Sequence, residues 1–278
     1  MNKLHHKDFS IAFKAGSDAN KSKFKKEAVQ GEMYFATDSK NLYVAETTAG
    51  LSDATLSQFT PSSAYTNAYS LDLDGTNDFI SIPSNITGSS YSTQDWTFSM
   101  FFKADASHVS SSAGLTVFLA GTGSSPYIGF YQGNIRYVNF AGSGANGPAL
   151  TGGWQHLMIT NDSSTGSSND AASLYIDGSF VGYTRTWNNC AGIRNIGQWY
   201  SGYNSNLIVD EISIFDSVKS VSDVQTAGVP NDLTSLNPVL WYRCGDGDTS
   251  PTLTNNGSGS SLDGTMNNIT TFSSDVPS

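Results

Sequence analysis

The sequence predicts an all-β protein, and three observations predict it. Only 14 % of the 278 residues are charged, Gly alone numbers 27, and Ser, Thr and Asn are abundant. That composition suits many short strands joined by polar turns and disfavours a helical protein. The stretch Asn206-Leu-Ile-Val-Asp-Glu-Ile-Ser-Ile-Phe-Asp216 is mostly apolar on both period-two faces and rich in β-branched residues. A strand covered on both sides, near the centre of a packed sheet, has this pattern. Finally, β-rich runs recur with turn chemistry between them, most clearly at Asp177-Gly178, where both positions tolerate positive φ.

In chain order, residues 1–30 are Lys-rich with Phe9, Phe13 and Phe24, and read as an extended or partly helical arm. Glu32–Thr37 and Asn41–Ala45 flank Asp38-Ser-Lys40 as a hairpin. An isolated hairpin is marginal in water, so this head is expected to need neighbours. Residues 46–68, rich in Thr, Ser and Ala with Pro61, read as a linker. The expected division is therefore an anchoring and oligomerisation arm over 1–68 and a β-sandwich over 69–278.

Strands are expected at Ser70–Asp74, Phe79–Ile82, Asp95–Phe102, Leu115–Ala120, Tyr127–Tyr131, Ile135–Phe140 and Trp154–Thr160. Ala172–Ile176 and Ser179–Tyr183 follow as a hairpin on Asp177-Gly178. Ser220-Val-Ser-Asp223 has the spacing of a capping box, and Gly228 and Pro230 would close a short helix. Pro238–Arg243, Asp263–Met266 and Ile269–Phe272 supply the tail's β runs. Trp96, Trp154 and Trp241 lie inside strand patterns and are expected in the core.

Charge is unevenly placed. Residues 1–26 carry seven Lys against two Asp, a net of +5, and the remainder carries seven basic and 22 acidic residues, a net of −15. An acidic body disfavours nucleic acid, whose phosphates need clustered Lys and Arg. The basic head could dock on an acidic protein surface or remain a solvated arm. Cys190 and Cys244 are too few for a disulfide framework; they could pair across the fold, though nothing in the spacing shows it, and free thiols are expected. No apolar segment follows Met1 and no apolar run approaches membrane length, so neither a secretion signal nor membrane insertion is expected.

Chemistry is thinly represented. Asp210 and Glu211 sit inside the apolar central strand, where buried charge needs a partner. Arg194 and Arg243 are candidates, and structural hydrogen bonding is the expected role of the acids. His5 and His6 fall in the arm, His108 in a Ser-rich loop and His156 in a strand, and no Gly-x-Ser-x-Gly elbow accompanies them. The sequence implies no cofactor. Asp246 and Asp248 form an oxygen-rich loop that could hold calcium, without EF-hand spacing.

Five pieces in order resemble a concanavalin A-like lectin/glucanase sandwich of the laminin G-like kind. They are Leu73–Ile80, Trp96–Phe102, Trp154–Leu157, Leu174–Gly178 and Val209–Phe215 with the helix at 220–228. The resemblance implies a jelly-roll of two stacked antiparallel sheets, with a small N-terminal hairpin arm. Leu240–Gly245 and Ser261–Thr265 resemble the piece that usually opens such domains, yet here they come last, an order similar to that of tailed-phage appendage proteins. Val29–Val44 resembles short β modules that begin phage fibre proteins. Glucanases on this fold resemble one another in a Glu-x-Asp-x-(x)-Glu strand. Here Glu211-Ile-Ser-Ile-Phe-Asp216 has Ser213 at the middle position, which leaves little of a two-carboxylate mechanism.

Sugars are held by aromatic platforms beside amides and hydroxyls. Trp187, Asn189, Gln198, Trp199, Tyr200 and Tyr203 provide that equipment in two loops before the central strand. The function expected is a non-enzymatic phage virion protein, a tail-fibre or head-fibre appendage adhering to host-surface glycans. Its other partners would be virion proteins, bound through the arm, and copies of itself in a trimer. The alternatives are a decoration protein making only protein contacts and, less well supported, a glycoside hydrolase.

Overall fold

The computed structural model describes residues 13–16, 33–36, 42–45, 56–59, 65–83, 95–121, 127–138, 142–165, 171–185, 193–199 and 203–278. The chain divides into two units, Met1–Tyr65 and Thr66–Ser278.

The first unit holds a four-stranded sheet in sequence order: β1 (Phe13–Gly16), β2 (Met33–Ala36), β3 (Leu42–Ala45) and β4 (Leu56–Phe59). The expected hairpin is its centre, where Tyr34 and Tyr43 are cross-strand partners and both buried. The flanking strands correct the sequence reading. β1 lies within the expected arm and pairs parallel to β2, and β4 lies within the expected linker. Leu-Ser-Gln-Phe is too short to show a period, so its strand state comes from pairing with β3.

The second unit is two eight-stranded antiparallel sheets. Sheet one runs β11 (Gly144–Ala149), β10 (Asn134–Val138), β9 (Tyr127–Tyr131), β8 (Thr116–Gly121), β15 (Ile193–Ile196), β6 (Phe79–Ser81), β21 (Gly264–Asn267) and β20 (Thr252–Leu253). Sheet two runs β14 (Ser179–Arg185), β13 (Ala171–Ile176), β12 (Trp154–Asn161), β7 (Trp96–Ala104), β16 (Asn206–Phe215), β5 (Ser70–Asp74) and β22 (Phe272–Ser273). β19 (Leu240–Tyr242) pairs with β16 beyond the end of β5. The last strands of the chain thus sit beside the first strands of the sandwich, β22 on β5 and β21 on β6. This arrangement is the two-layer jelly-roll sandwich that the sequence predicts.

The core lies between the sheets. Phe102 of β7 stacks on Phe118 of β8 with ring centres 5.1 Å apart, and Phe118 stacks on Phe130 of β9 at 4.6 Å. All three rings are fully buried, and each such burial contributes roughly 1.5–3 kcal/mol. Two hairpins are closed by left-handed pairs, Gln132-Gly133 and Asp177-Gly178, as their turn chemistry predicts.

β16 departs from strict alternation. Its pairing with β7 runs to Asp210↔Phe101 and resumes at Ser213↔Ser99, so one extra residue is inserted. Glu211 takes φ +46° at that bulge. The core-facing set is therefore Leu207, Val209, Ile212 and Ile214, and neither acid belongs to it.

Two further expectations are corrected, and one unforeseen strand is added. The helix is one turn, Val221–Val224, started by the Asp223 carboxylate accepting the Ser220 N–H at 2.7 Å. Gly228 and Pro230 belong instead to a two-residue-strand hairpin, β17 (Gln225–Thr226) with β18 (Val229–Pro230). β11, Gly-Ala-Asn-Gly-Pro-Ala, carries no apolar alternation and, containing Pro148, is confined to the sheet edge. Trp154 is half-buried, its Nε1 donating to Asp275 Oδ1 at 2.8 Å, because it alternates outward with His156 while Gln155 and Leu157 take the other phase. Among the described residues no helix is long and apolar enough to cross a membrane.

Candidate functional site

The loop from β15 to β16 carries the chain from sheet one to sheet two. It begins at Gly197, whose N–H donates to Phe118 O at 2.7 Å. Gly197 has φ +92°, and a Cβ there would come within 2.1 Å of Leu73 Cδ2, so only glycine lets the loop turn over the core. Gln198 and Asn204 form an isolated antiparallel bridge, and Gln198 Nε2 donates to Asn204 Oδ1 at 3.0 Å. Asn204 Nδ2 in turn donates to Thr76 O, fastening the loop to the turn after β5. Across the bridge, Trp199 N donates to Tyr203 O at 3.2 Å.

This frame gathers aromatic rings. Trp199 is tilted against Tyr203 at 5.6 Å and against Tyr127 at 5.2 Å, and Tyr203 is 46 % exposed. Of the six residues expected to bind sugar, Gln198, Trp199 and Tyr203 come together here. Trp187, Asn189 and Tyr200 lie outside the described residues. The sequence reading missed Tyr127, although alternation with the core residues Ile128 and Phe130 turns it outward. It also missed Asn204, whose amide completes the pair.

The central-strand acids occupy a closed site. Glu211 is 2 % exposed; its Oε2 accepts from Trp241 Nε1 at 2.5 Å and its Oε1 from Arg243 Nε at 3.5 Å. Arg243 also donates to Asp246 Oδ2 at 3.1 Å and to Thr66 O. Of the two expected arginines, Arg243 is the partner, whereas Arg194 donates to Pro83 O. Asp210 is fully buried, with Oδ2 2.7 Å from Asn67 Nδ2 and Oδ1 accepting Glu211 N–H at 2.8 Å. Burial first, and then the Glu211 carboxylate, push the Asp210 pKa up to about 9. The N–H groups of Asn67 and Glu211 that donate to Asp210 favour the charged carboxylate but do not offset that burial.

His156 is buried, with Nε2 2.8 Å from Ser99 Oγ and Nδ1 unpartnered; burial lowers its pKa to about 3. Asp248 accepts from Gly245 N and Thr254 N, and Asp246 accepts from Ala68 N and Arg243, so both carboxylates of the candidate calcium loop accept hydrogen bonds from within the protein. Among the described residues no three His, Cys, Asp or Glu side chains gather as a metal site. Cys244 is a buried free thiol, and Cys190 lies outside the described residues.

A sandwich of two stacked antiparallel sheets is the architecture of the lectin-like proteins. Residues 74–225, more than half of the chain, match the laminin G type 3 model of the concanavalin A-like lectin/glucanases superfamily, and the chain belongs to that superfamily. Among solved structures it is similar to a candidate carbohydrate-binding protein from Bacteroides ovatus ATCC 8483. That match has a TM-score of 0.56 and 15 % identity, over 90 % of this chain and 71 % of the other. Weaker likenesses are to the receptor binding domain of botulinum neurotoxin D (TM-score 0.40, 17 % identity, 59 % of this chain and 44 % of that one) and to domains LG4-5 of mouse laminin α1 (TM-score 0.33, 13 % identity, 63 % and 48 %). No curated protein matches the chain.

Proposed function

We propose that the chain is a non-enzymatic carbohydrate-binding protein whose sandwich adheres to host-surface glycans. We further place it on a tailed-phage virion as a tail-fibre or head-fibre appendage, with the N-terminal unit bound to other virion proteins and a trimer as its working state. The observation that carries the binding reading is the Tyr127–Trp199–Tyr203 cluster beside the Gln198–Asn204 amide pair. An exposed ring offers a π face to sugar C–H groups, and adjacent amides supply both donors and acceptors for hydroxyls.

Two features support a protein that binds without cleaving. Glu211 is enclosed and fully engaged by Trp241 and Arg243. Asp216 is exposed and lies five residues further along an extended chain, roughly 16 Å away at about 3.3 Å per residue. Glycosidase carboxylates stand about 5–9.5 Å apart. The virion placement rests on the order of the β pieces, with the usual opening piece last, and on the phage-fibre likeness of Val29–Val44.

The test is a glycan array spanning bacterial surface polysaccharides. Binding that falls at least tenfold in Trp199→Ala is the expected result. Turnover of a bound polysaccharide, abolished by Glu211→Gln, would overturn the non-enzymatic reading. Absence of binding to every glycan would overturn the adhesion reading.

A further inference from the structure

The outer face of sheet two carries a second aromatic group, on the opposite sheet from β15 and its loop. Register places Thr160, Ser173 and Tyr183 side by side across β12, β13 and β14. The next row is Met158, Tyr175 and Phe180. Phe180 and Tyr183 are three apart and would face opposite ways in a regular strand. A bulge between Leu174 and Tyr175, which makes Val181 the extra residue, restores them to one face. Their rings meet edge-on at 5.2 Å, and Phe180 meets Tyr175 edge-on at 5.7 Å.

The segment leaving β16 forms the opposite wall, tied down where Lys219 N donates to Thr97 Oγ1 at 2.9 Å. Between the walls is a pocket of about 450 Å³, within the size range of small-molecule sites. Val218 and Tyr183 border it, and with Phe180 they are three of the six most exposed large apolar side chains among the described residues. The pocket is also polar. Thr160, Ser173, Tyr175 and Tyr183 contribute hydroxyls that make no hydrogen bond among the described residues. Asp162 and Lys219 add one charge of each sign.

We propose that this pocket is a second saccharide site, taking a neutral pyranoside whose ring stacks on Tyr183. Exposed ring faces suit sugar C–H groups, and uncommitted hydroxyls suit a ligand that is itself a set of hydroxyls. The opposed charges cancel, which favours a neutral sugar over a uronate or sialate. A second protein copy fits less well, since the cores of protein interfaces are depleted in charge and Ser, whereas here Ser173, Asp162 and Lys219 share one pocket. The proposal rests on the glycan-binding reading but on different residues from the β15–β16 loop. Two sites on separate sheets would let one chain engage two points of a polysaccharide and gain avidity.

The full chain is titrated by NMR and calorimetry with cellotriose, maltotriose, chitotriose and a β-galactan trisaccharide. Tyr183→Ala, Lys219→Met and Trp199→Ala are run in parallel, and sedimentation velocity is run on each. We expect two sites for the best ligand. Tyr183→Ala should weaken one of them roughly tenfold and leave the Trp199 site unchanged. A single site that is lost in Trp199→Ala and untouched by Tyr183→Ala overturns this proposal and leaves the adhesion reading intact. No binding by the wild type overturns both. A wild-type dimer that Tyr183→Ala dissociates, without change in sugar binding, reassigns the face to self-association.

Discussion

Replacing Asp210 with Asn is expected to flatten the loss of stability that the sandwich suffers as pH rises. Asp210 folds with its proton held, its pKa pushed up to about 9, whereas the unfolded chain releases that proton near the ordinary value of 3.8. The folded state therefore binds the extra proton, and this contribution to stability is full below pH 3.8 and lost as pH rises toward 9. The slope is roughly 1–2 kcal/mol per pH unit. Below pH 6.5 it is opposed by His156 and His108, whose pKa values burial lowers. The window from pH 6.5 to 8 thus isolates Asp210 and should cost the wild type about 2 kcal/mol. Urea unfolding followed by tryptophan fluorescence measures it, since all five Trp lie between residues 96 and 241, in the second unit. Asn copies the shape and neutrality of the protonated acid, and its oxygen can accept from Glu211 N as Oδ1 does. Asp210→Asn should show no slope across this window and exceed the wild type at pH 8. An unchanged slope, or a variant weaker than wild type at both ends, would refute the protonated, buried Asp210.

In the Asp210→Asn background, stability should fall as pH drops from 6.5 toward 3, because the unfolded chain takes a proton that folded His156 refuses. Adding His156→Gln should reduce that fall in the same urea series, leaving the part due to His108, whose pKa burial also lowers; a slope left undiminished would assign it elsewhere. Gly197→Ala forces a Cβ to within 2.1 Å of Leu73 Cδ2 at φ +92°, and should cost about 1–3 kcal/mol, read as a lower urea midpoint. Phe118→Ala removes the ring shared by Phe102 and Phe130, and should cost about 3–5 kcal/mol in a thermal melt. A melt unchanged by that variant would place the core elsewhere.

What the sequence disclosed follows from which physical signals are local. Strands buried on an alternating or continuous apolar pattern, such as β7, β9, β12 and β16, were legible, as were the hairpins whose turns demand positive φ. Strands whose state is conferred by a neighbour were not: β1, β4 and β11 lack a pattern of their own and exist because another strand offers its edge. The same division governs the candidate sites. Gln198, Trp199 and Tyr203 lie within six residues, so their chemistry could be read together, but Tyr127 joins them only through the pairing of β8 with β9 and with β15. Bulges hid the rest. One inserted residue at Glu211 takes an acid out of a face that alternation assigns to Leu207 and Val209. Another at Val181 makes a continuous aromatic surface of Tyr175, Phe180 and Tyr183, which alternation would scatter over two faces. A bulge costs the ladder one register step and leaves no mark on composition, so its consequence is visible only once both strands are paired. The bulges at Glu211 and Val181 both lie on sheet two, and they decide which side chains around them are sealed in and which are offered to a ligand.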